Sequence, residues 1–298
     1  MKKLVGLLLV LAQILLYGNI VFAKTGDVIG YAAHTDIVAT INGAQIQSYN
    51  YNGYTYVVAE DLANYGFSTV WNASERKITV NRNYQVRSIY SNYKKPYVSK
   101  SQVGKKAYNV LESDITAVVN GYHLSTYNTL DWLGAYNING KTIIPFDILE
   151  IFGTVQWDAN ARKISLWIPG IGNMGGGSKD ASTVKNEFLA RMKAIDAKTE
   201  SLYGSAMTQQ KMNSVSWLGY CMWDGMLNEV YQYLKIHRLS AQEFEMLKND
   251  QIRWVNERDQ QMKKVEREYQ GGSICALMVN STGMEYIENR CRYLISLF

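Results

Sequence analysis

The sequence is poor in the residues on which metal and disulfide chemistry depend. Its 298 residues include three Cys and three His, which are few for a metalloenzyme and too few for a disulfide framework. The excess of one charge sign is also small, since the chain has 31 Lys and Arg and 26 Asp and Glu, for a formal net charge of +5. A balance this weak does not indicate a nucleic-acid partner. These shortages leave a non-catalytic binding or structural protein without a cofactor as the expected class.

A long apolar run occurs at the N-terminus, and no second run of membrane length follows it. Lys2 and Lys3 precede a nearly unbroken apolar stretch at residues 4–16, and Val21-Phe22-Ala23 has the form of a signal-peptidase site. We predict a signal peptide over residues 1–23, cleaved before Lys24, with an uncleaved anchor helix as the alternative. The mature protein is then expected to be secreted or cell-wall associated, outside the cytoplasmic membrane and without a membrane span.

An internal repeat occupies the first half of the chain. Residues 36–43 recur as residues 114–121, and each copy is an alternating strand that ends in Asn-Gly. Asn-Gly is a strong hairpin signal because both residues tolerate a positive φ. In each copy a second Asn-Gly, a short helix and a last hairpin follow. Gly66 and Gly153 close the short helices, which predicts a left-handed C-cap at both.

These patterns predict two small α+β units, each a strongly twisted antiparallel sheet packed on one short helix, with Trp71 and Trp157 in the cores. The first unit and its connector span residues 24–104, and the second spans residues 105–169. Both copies resemble the copper amine oxidase-like N-terminal domain. In the amine oxidases that domain is a stalk without the copper site, and its free-standing versions belong to secreted and wall-associated bacterial proteins.

No metal site is expected in spite of that family's name. His34, His123 and His237 have neither ligand spacing nor a His partner. Tyrosine is abundant instead, with fourteen residues from Tyr31 to Tyr136. Rows of aromatic side chains can stack on sugar rings, but Tyr also suits half-buried strands and cross-strand pairs. Both interpretations are open at this point.

A glycine-rich stretch separates the repeats from the rest of the chain. Residues 170–175 fit the G-x-G-x-x-G pattern of dinucleotide-binding proteins. That mechanism needs a parallel βαβ unit, whereas the preceding strand here closes a hairpin and no strand follows the next helix. Residues 170–181 are therefore predicted to be a flexible linker.

From Ser182 onward the hydrophobic period changes from two to 3.6, which predicts an all-α antiparallel bundle over residues 182–298. Thr208 is the expected N-cap of the second helix. Ser240 and Glu243 form a capping box for a third helix that ends near Tyr269, and a second box at Thr282 opens the last helix. We expect this bundle to fold on its own.

The polar motifs of the bundle carry a second resemblance. In chain order they are Asp224, Leu227-Asn228 and Tyr231, then Gln251, Trp254 and Arg258-Asp259, then Gly271-Gly272-Ser273 and finally Arg290. This order is similar to the lysozyme-inhibitor LprI-like N-terminal domain family over residues 207–297. The resemblance implies a helical domain that binds a protein, with lysozyme inhibition as the activity.

The chain departs from that family in its cysteines. Val215, Met262 and Thr282 occupy positions where many members have Cys. The cysteines of this chain stand elsewhere, at Cys221, Cys275 and Cys291. Because three is an odd number, at least one of them lies outside any intrachain disulfide, and we expect them to act as small buried apolar residues.

Six residues are the candidate partner-binding set: Gln251, Trp254, Arg258, Asp259, Asp224 and Asn228. Gln251, Trp254 and Arg258 share one helical face. That face is either a patch for a partner, since Trp and Arg dominate interface hot spots, or a packing site in which Arg258 pairs with Asp224 above Trp254. Asp259 and Asn228 are expected to be polar groups at helix contacts. No catalytic constellation has supporting context, so we do not expect an enzyme.

Two functions compete at the level of the sequence. One is a secreted cell-envelope binding protein whose helical domain binds a protein, with lysozyme as the partner that the resemblance implies. The other is a wall-adhesion or scaffold module that binds wall glycan through the repeated N-terminal units. Residues 179–298 hold 16 Lys and Arg against 15 Asp and Glu, so their net charge does not add support for a basic partner such as lysozyme.

Overall fold

The computed structural model describes residues 24–124, 134–172 and 179–298. The predicted signal peptide, part of the second repeat at residues 125–133 and residues 173–178 of the linker predicted at 170–181 lie outside the described residues. Residues 170–172 are buried, and the Gly170 N–H donates to Glu187, so the flexible linker predicted from residue 170 is wrong at these positions. Within the described ranges, strands and two short 3₁₀ helices precede four long α-helices. The chain is therefore α+β, as predicted.

The strands of the first copy are β1 (Val28–Ala33), β2 (Val38–Ile41), β3 (Ala44–Ile46), β4 (Ser48–Tyr51), β5 (Tyr54–Val58), β6 (Phe67–Asn72) and β7 (Lys77–Arg82). Those of the second copy are β8 (Lys106–Leu111), β9 (Thr116–Val119), β10 (Tyr122–His123), β11 (Tyr136–Ile138), β12 (Lys141–Pro145), β13 (Thr154–Asp158) and β14 (Lys163–Trp167). The 3₁₀ helices are Glu60–Tyr65 and Phe146–Ile151. The α-helices are α1 (Ala181–Ser205), α2 (Gln209–His237), α3 (Ala241–Glu268) and α4 (Cys275–Ser296).

The four Asn-Gly pairs adopt the backbone that the hairpin prediction requires. The φ angles of Asn42, Asn52, Asn120 and Asn139 lie between 44° and 53°, and the glycine after each is also positive. Gly66 closes the first 3₁₀ helix with φ at 86°, so its predicted left-handed cap is confirmed.

Gly153 does not form the left-handed helix cap that was predicted for it. The second 3₁₀ helix ends at Phe152 with φ at −103°, and Gly153 is absent from the positive-φ glycines of the described residues. A Cβ at this position would instead overlap the backbone oxygen of Trp167. The expected left-handed cap is therefore wrong here, and this glycine serves the close approach of two backbone segments.

The two copies of the repeat interlock. Strand β7 of the first copy pairs in parallel with β9 of the second, which gives a sheet of order β10-β9-β7-β6. The converse pairing, β14 with β2, gives the sheet β13-β14-β2-β3. A closed barrel of order β1-β4-β5-β12-β11-β8 also mixes the copies. The expectation of one antiparallel sheet per unit is wrong, because each copy completes its last hairpin with the first hairpin of the other.

Trp71 and Trp157 do not fill the cores. They are 46% and 48% exposed, on the outer faces of β6 and β13. The guanidinium of Arg162 lies over the Trp157 ring at 5.8 Å. Aliphatic side chains such as Leu62, Ile78 and Ile148 fill the core instead. Both Trp side chains point away from the core because side chains alternate between the two faces of a strand.

The helix boundaries follow local capping chemistry, with one exception. The Thr208 side chain accepts a hydrogen bond from the Lys211 N–H, and Ser240 and Glu243 make both bonds of the predicted capping box. Helix α4, however, begins at Cys275, and Thr282 lies within it. The Thr282 hydroxyl donates to the Met278 carbonyl at 2.9 Å. The capping box predicted at Thr282 is therefore wrong, because a threonine inside a helix can bond to the preceding turn.

The helices and the two four-stranded sheets share one apolar core, whereas the barrel encloses a second, smaller one. A single buried cluster contains Ile151 and Ile168 from the N-terminal part and Val184, Phe188 and Leu218 from the helices. The contact is close, since a Cβ on Gly225 of α2 would overlap the carbonyl oxygen of Ile151. The helical segment thus completes the core of the sheets, a dependence that its apolar stripes alone did not reveal.

Two further features concern the described ranges. Cys221, Cys275 and Cys291 are free thiols, and the first and last are buried. Cys275 is only half-buried at the start of α4, so the prediction of a buried apolar residue is wrong there. None of the helices in these ranges is both long enough and apolar enough to cross a membrane.

Candidate functional site: a groove between α2 and α3

A groove of about 400 Å³ lies between α2 and α3. Its α2 wall consists of Asp224, Leu227, Asn228, Tyr231 and Gln232, and its α3 wall consists of Lys248, Gln251, Ile252, Trp254, Val255, Asn256 and Arg258. Five of the six residues selected from the sequence line it: Asp224, Asn228, Gln251, Trp254 and Arg258. Asp259 does not line the groove, but it holds Arg258 in place.

The groove exists because α3 is a polar helix that covers little of α2. Leu247 is the buried residue of α3, whereas α2 buries side chains along most of its length. Helix α3 packs mainly against α4. The α2 face that points toward α3 therefore stays open to solvent between the two helices.

Arg258 connects the two walls. Its Nε and Nη2 atoms donate to Oδ1 of Asp259 at 2.9 and 2.8 Å, and its Nη1 lies 3.9 Å from Oδ1 of Asp224. The guanidinium carbon lies 5.3 Å from the centre of the Trp254 ring. These contacts match the packing interpretation of Arg258, since it bridges Asp224 above Trp254.

Asp224 is a largely buried carboxylate at the floor of the groove. Burial raises its pKa, while Arg258 and hydrogen bonds with Tyr122 and Asn228 oppose the rise. The Asn228 amide donates to Oδ2 of Asp224 at 3.2 Å. Because Tyr122 belongs to β10, the sheets also take part in positioning this acid.

Trp254 lies against two guanidinium groups. Arg290 is 5.6 Å from its ring centre, on the α4 side. Arg290 in turn donates to Oε1 of Gln251 at 2.8 Å and pairs with Asp250 at 2.7 Å. Gln251 therefore supports the platform on which Trp254 rests, as well as lining the groove.

The apolar part of the groove was not predicted from the sequence. Ile252 is 53% exposed, and the half-buried side chains of Val255 and Tyr231 extend the apolar surface around it. A signal was present in the sequence, since an isoleucine and a valine beside Trp254 interrupt a helix that is otherwise highly polar. Exposed apolar side chains that gather in a groove mark an interaction surface more often than scattered ones do.

The described ranges contain no group of three or more His, Cys, Asp or Glu side chains that could hold a metal ion. The groove offers a carboxylate, guanidinium groups and aromatic rings, which suit the recognition of protein side chains.

Comparison with known proteins agrees with the helical part of the interpretation. Residues 202–294 match the family model described as Lysozyme inhibitor LprI. Comparisons with curated proteins and with solved structures each returned no match. The copper amine oxidase-like resemblance of the repeats stays a prediction. The matched residues include all of α2 and α3, so the segment that forms both walls of the groove is similar to the lysozyme-inhibitor LprI family.

Proposed function

We propose that this protein is a non-catalytic binding protein of the cell envelope, and that its LprI-like domain binds and inhibits an enzyme of the lysozyme type. The observation that carries the proposal is that the matched segment forms a pre-shaped groove with an exposed apolar edge and an acidic floor. The extracytoplasmic location is supported by the leader predicted at residues 1–23.

The groove suits a protruding side chain of a partner. Trp254 and Tyr231 supply aromatic surface, and Ile252 supplies apolar surface that association would remove from water. Rigid aromatic side chains beside an Arg are the usual centres of binding energy in protein interfaces. Trp254 contacts the guanidinium groups of both Arg258 and Arg290, so little conformational freedom is lost when a partner docks.

For a basic partner, the charge inside the groove matters more than the net charge of the helical segment. The whole helical segment is close to neutral, but Asp224 lies at the floor with its pKa raised by burial. Asp259 takes both close hydrogen bonds of Arg258, which leaves Asp224 only loosely paired with that guanidinium. A Lys or Arg side chain from a basic lysozyme would therefore find an acceptor in the groove.

The proposal can be tested with residues 24–298 in a turbidity assay of lysozyme action on cell walls. Near-stoichiometric inhibition is expected. Ile252→Ala removes exposed apolar surface and should weaken inhibition about tenfold, a usual cost for an interface centre, without a change in melting temperature. Met246→Ala is the matched control, because Met246 is a 61% exposed apolar residue of α3 outside the groove.

Two outcomes would contradict the proposal. One is an absence of inhibition at large excess of protein over lysozyme. The other is equal inhibition by the Ile252→Ala and Met246→Ala variants, which would move the contact away from this groove. Gln251→Ala and Trp254→Ala are poorer probes, because both residues contact Arg290 and we expect their loss to lower stability as well.

A further inference from the structure

We propose that the N-terminal part of the protein binds an oligosaccharide of several pyranose units in a tyrosine-lined channel beside the connector between the two repeats (residues 83–104). The channel consists of two adjoining depressions of about 370 and 310 Å³. Gln47 and Tyr93 line both of them. A ligand that follows the channel would therefore be an extended chain of consecutive units.

Aromatic rings stand at intervals along this channel. Tyr90 lines the first depression and is 77% exposed, while Tyr97 lines the second and is 88% exposed. Tyr93 lines both depressions, and Tyr108 of β8 also lines the second one. A pyranose ring presents a face of C–H groups, which can pack on an aromatic ring while its hydroxyls stay free. Repeated rings along one path fit repeated sugar units.

The remaining lining supplies polar partners for hydroxyl groups. The amides of Asn64 and Asn92 are exposed in the first depression, and Gln102 lines the second. The Gln47 amide donates to the Tyr49 hydroxyl at 2.8 Å. This bond fixes the orientation of the amide, so the Gln47 side-chain oxygen is positioned to accept a hydrogen bond. Neutral amides beside aromatic rings suit a ligand that is rich in hydroxyls.

The charges of the channel favour a neutral ligand. Asp61 of the first depression is paired with Lys141 at 3.4 Å. Lys95 of the second depression has its pKa lowered by burial, with Asp36 opposing the shift. Neither depression offers the cluster of free cations that a polyanion such as a nucleic acid requires.

The connector is held in position before any ligand arrives. The Lys95 N–H donates to Oε1 of Gln45 at 2.8 Å, and the Ser91 hydroxyl donates to the Gln45 carbonyl at 3.3 Å. In the second depression the rings of Tyr49 and Tyr108 meet edge to face at 5.5 Å. A channel that is already formed loses little entropy on binding, which favours a specific site over an incidental surface.

Titration calorimetry of residues 24–298 with chitohexaose and with cellohexaose tests the site. Binding of at least one neutral hexasaccharide is expected. Tyr97→Ala should weaken it about tenfold through loss of one aromatic contact. Tyr31→Ala is the control, since Tyr31 is an exposed tyrosine of β1 outside both depressions and should leave the affinity unchanged. Both variants are compared with the parent by circular dichroism.

Failure to bind either hexasaccharide would overturn the proposal, and so would full affinity in the Tyr97→Ala variant. Equal loss in the Tyr97→Ala and Tyr31→Ala variants would also overturn it, because the contact would then not lie in the channel. Isolated peptidoglycan, used as a third probe, shows whether the sugar chain recognised is that of the cell wall. The site is separate from the α2–α3 groove, so these results do not depend on lysozyme inhibition.

Discussion

The guanidinium of Arg162 binds the carboxylate of Asp36, with Nη2 2.7 Å from Oδ1. The two residues belong to different copies of the repeat. Arg76 and Asp114 form the equivalent pair in the other sheet. In both cases the backbone oxygen of the Arg also accepts a hydrogen bond that starts the parallel pairing, from Val38 or from Thr116. Each Arg thus joins one copy to the other through its side chain and its backbone.

The backbone of Arg162 predicts an unusual order of variant stabilities. Its φ is 50°, a left-handed conformation that costs a non-glycine residue about 1 kcal/mol. The exposed ion pair with Asp36 contributes about 0.5 kcal/mol after screening by solvent. We therefore expect Arg162→Gly to be more stable than Arg162→Ala by about 1 kcal/mol in urea denaturation. Asp36→Asn removes the pair alone, and an Ala variant as stable as the Gly variant would refute the backbone explanation.

Two glycines inside helices should respond to alanine in opposite directions. A Cβ at Gly225 would overlap the Ile151 carbonyl, whereas Gly204 has no atom within 4 Å of the same position. Gly225→Ala should lower the free energy of unfolding by about 3 kcal/mol, because two packed backbones must separate. Gly204→Ala should raise it by about 0.5 kcal/mol through helix propensity. Similar small effects at both sites in urea denaturation would contradict the close contact of α2 with the sheets.

Glu229 should make stability depend on pH. It is fully buried, with Oε1 3.3 Å from Nε of Arg82. Burial raises its pKa from 4.5 to about 7, against the opposing effects of Arg82 and Arg191. The folded protein then holds this proton more tightly than the unfolded chain does. Its contribution to stability is full below about pH 4.5 and is lost as the pH rises through 7.

The Glu229→Gln variant isolates that contribution. The free energy of unfolding of the variant, minus that of the parent, should increase as the pH rises from 4.5 to 7 and then level off. Urea titrations at a series of pH values measure this difference. Glu245→Gln, on the exposed side of α3, serves as the control. A difference that stays constant over the whole range would refute a buried proton at Glu229.

The helical segment should be unstable when it is separated from the sheets. Arg191 is fully buried, and its Nη2 donates to the Ile151 carbonyl at 2.6 Å. Glu229 likewise pairs with Arg82 of β7. Residues 179–298 alone would lose these partners and expose Val184 and Phe188. We expect a lower melting temperature than for residues 24–298, with self-association in sedimentation experiments. An equally stable monomer would show that the bundle is autonomous.

Local chemistry was readable from the sequence, and contacts between distant segments were not. Asn42-Gly43 and Ser240 each set their own backbone, so the hairpins and the capping box were predicted correctly. The pairing of β2 with β14 depends on which partner lies nearby, and both copies carry the same alternating pattern. The prediction that Trp71 lies in the core was wrong for a similar reason, because the direction of its side chain depends on the strand register.

For the candidate groove too, the local pattern was predictable from the sequence and the contacts between helices were not. Helical spacing placed Gln251, Trp254 and Arg258 on one face, and that face lines the groove. The bond from Arg290 to Gln251 joins residues on different helices, and periodicity within one helix cannot show it. Ile252 was not selected from the sequence, because its exposure depends on the small contact between α2 and α3.

The interlocked strands have a consequence for the history of the chain. A polypeptide with a single copy of the repeat would leave the edges of β2 and β7 unpaired, and a second molecule of the same chain could complete both sheets. The present arrangement is that of a strand-exchanged homodimer whose two subunits have been joined end to end. Gene duplication followed by fusion produces this arrangement directly, and it makes the loss of either copy a loss of both sheets.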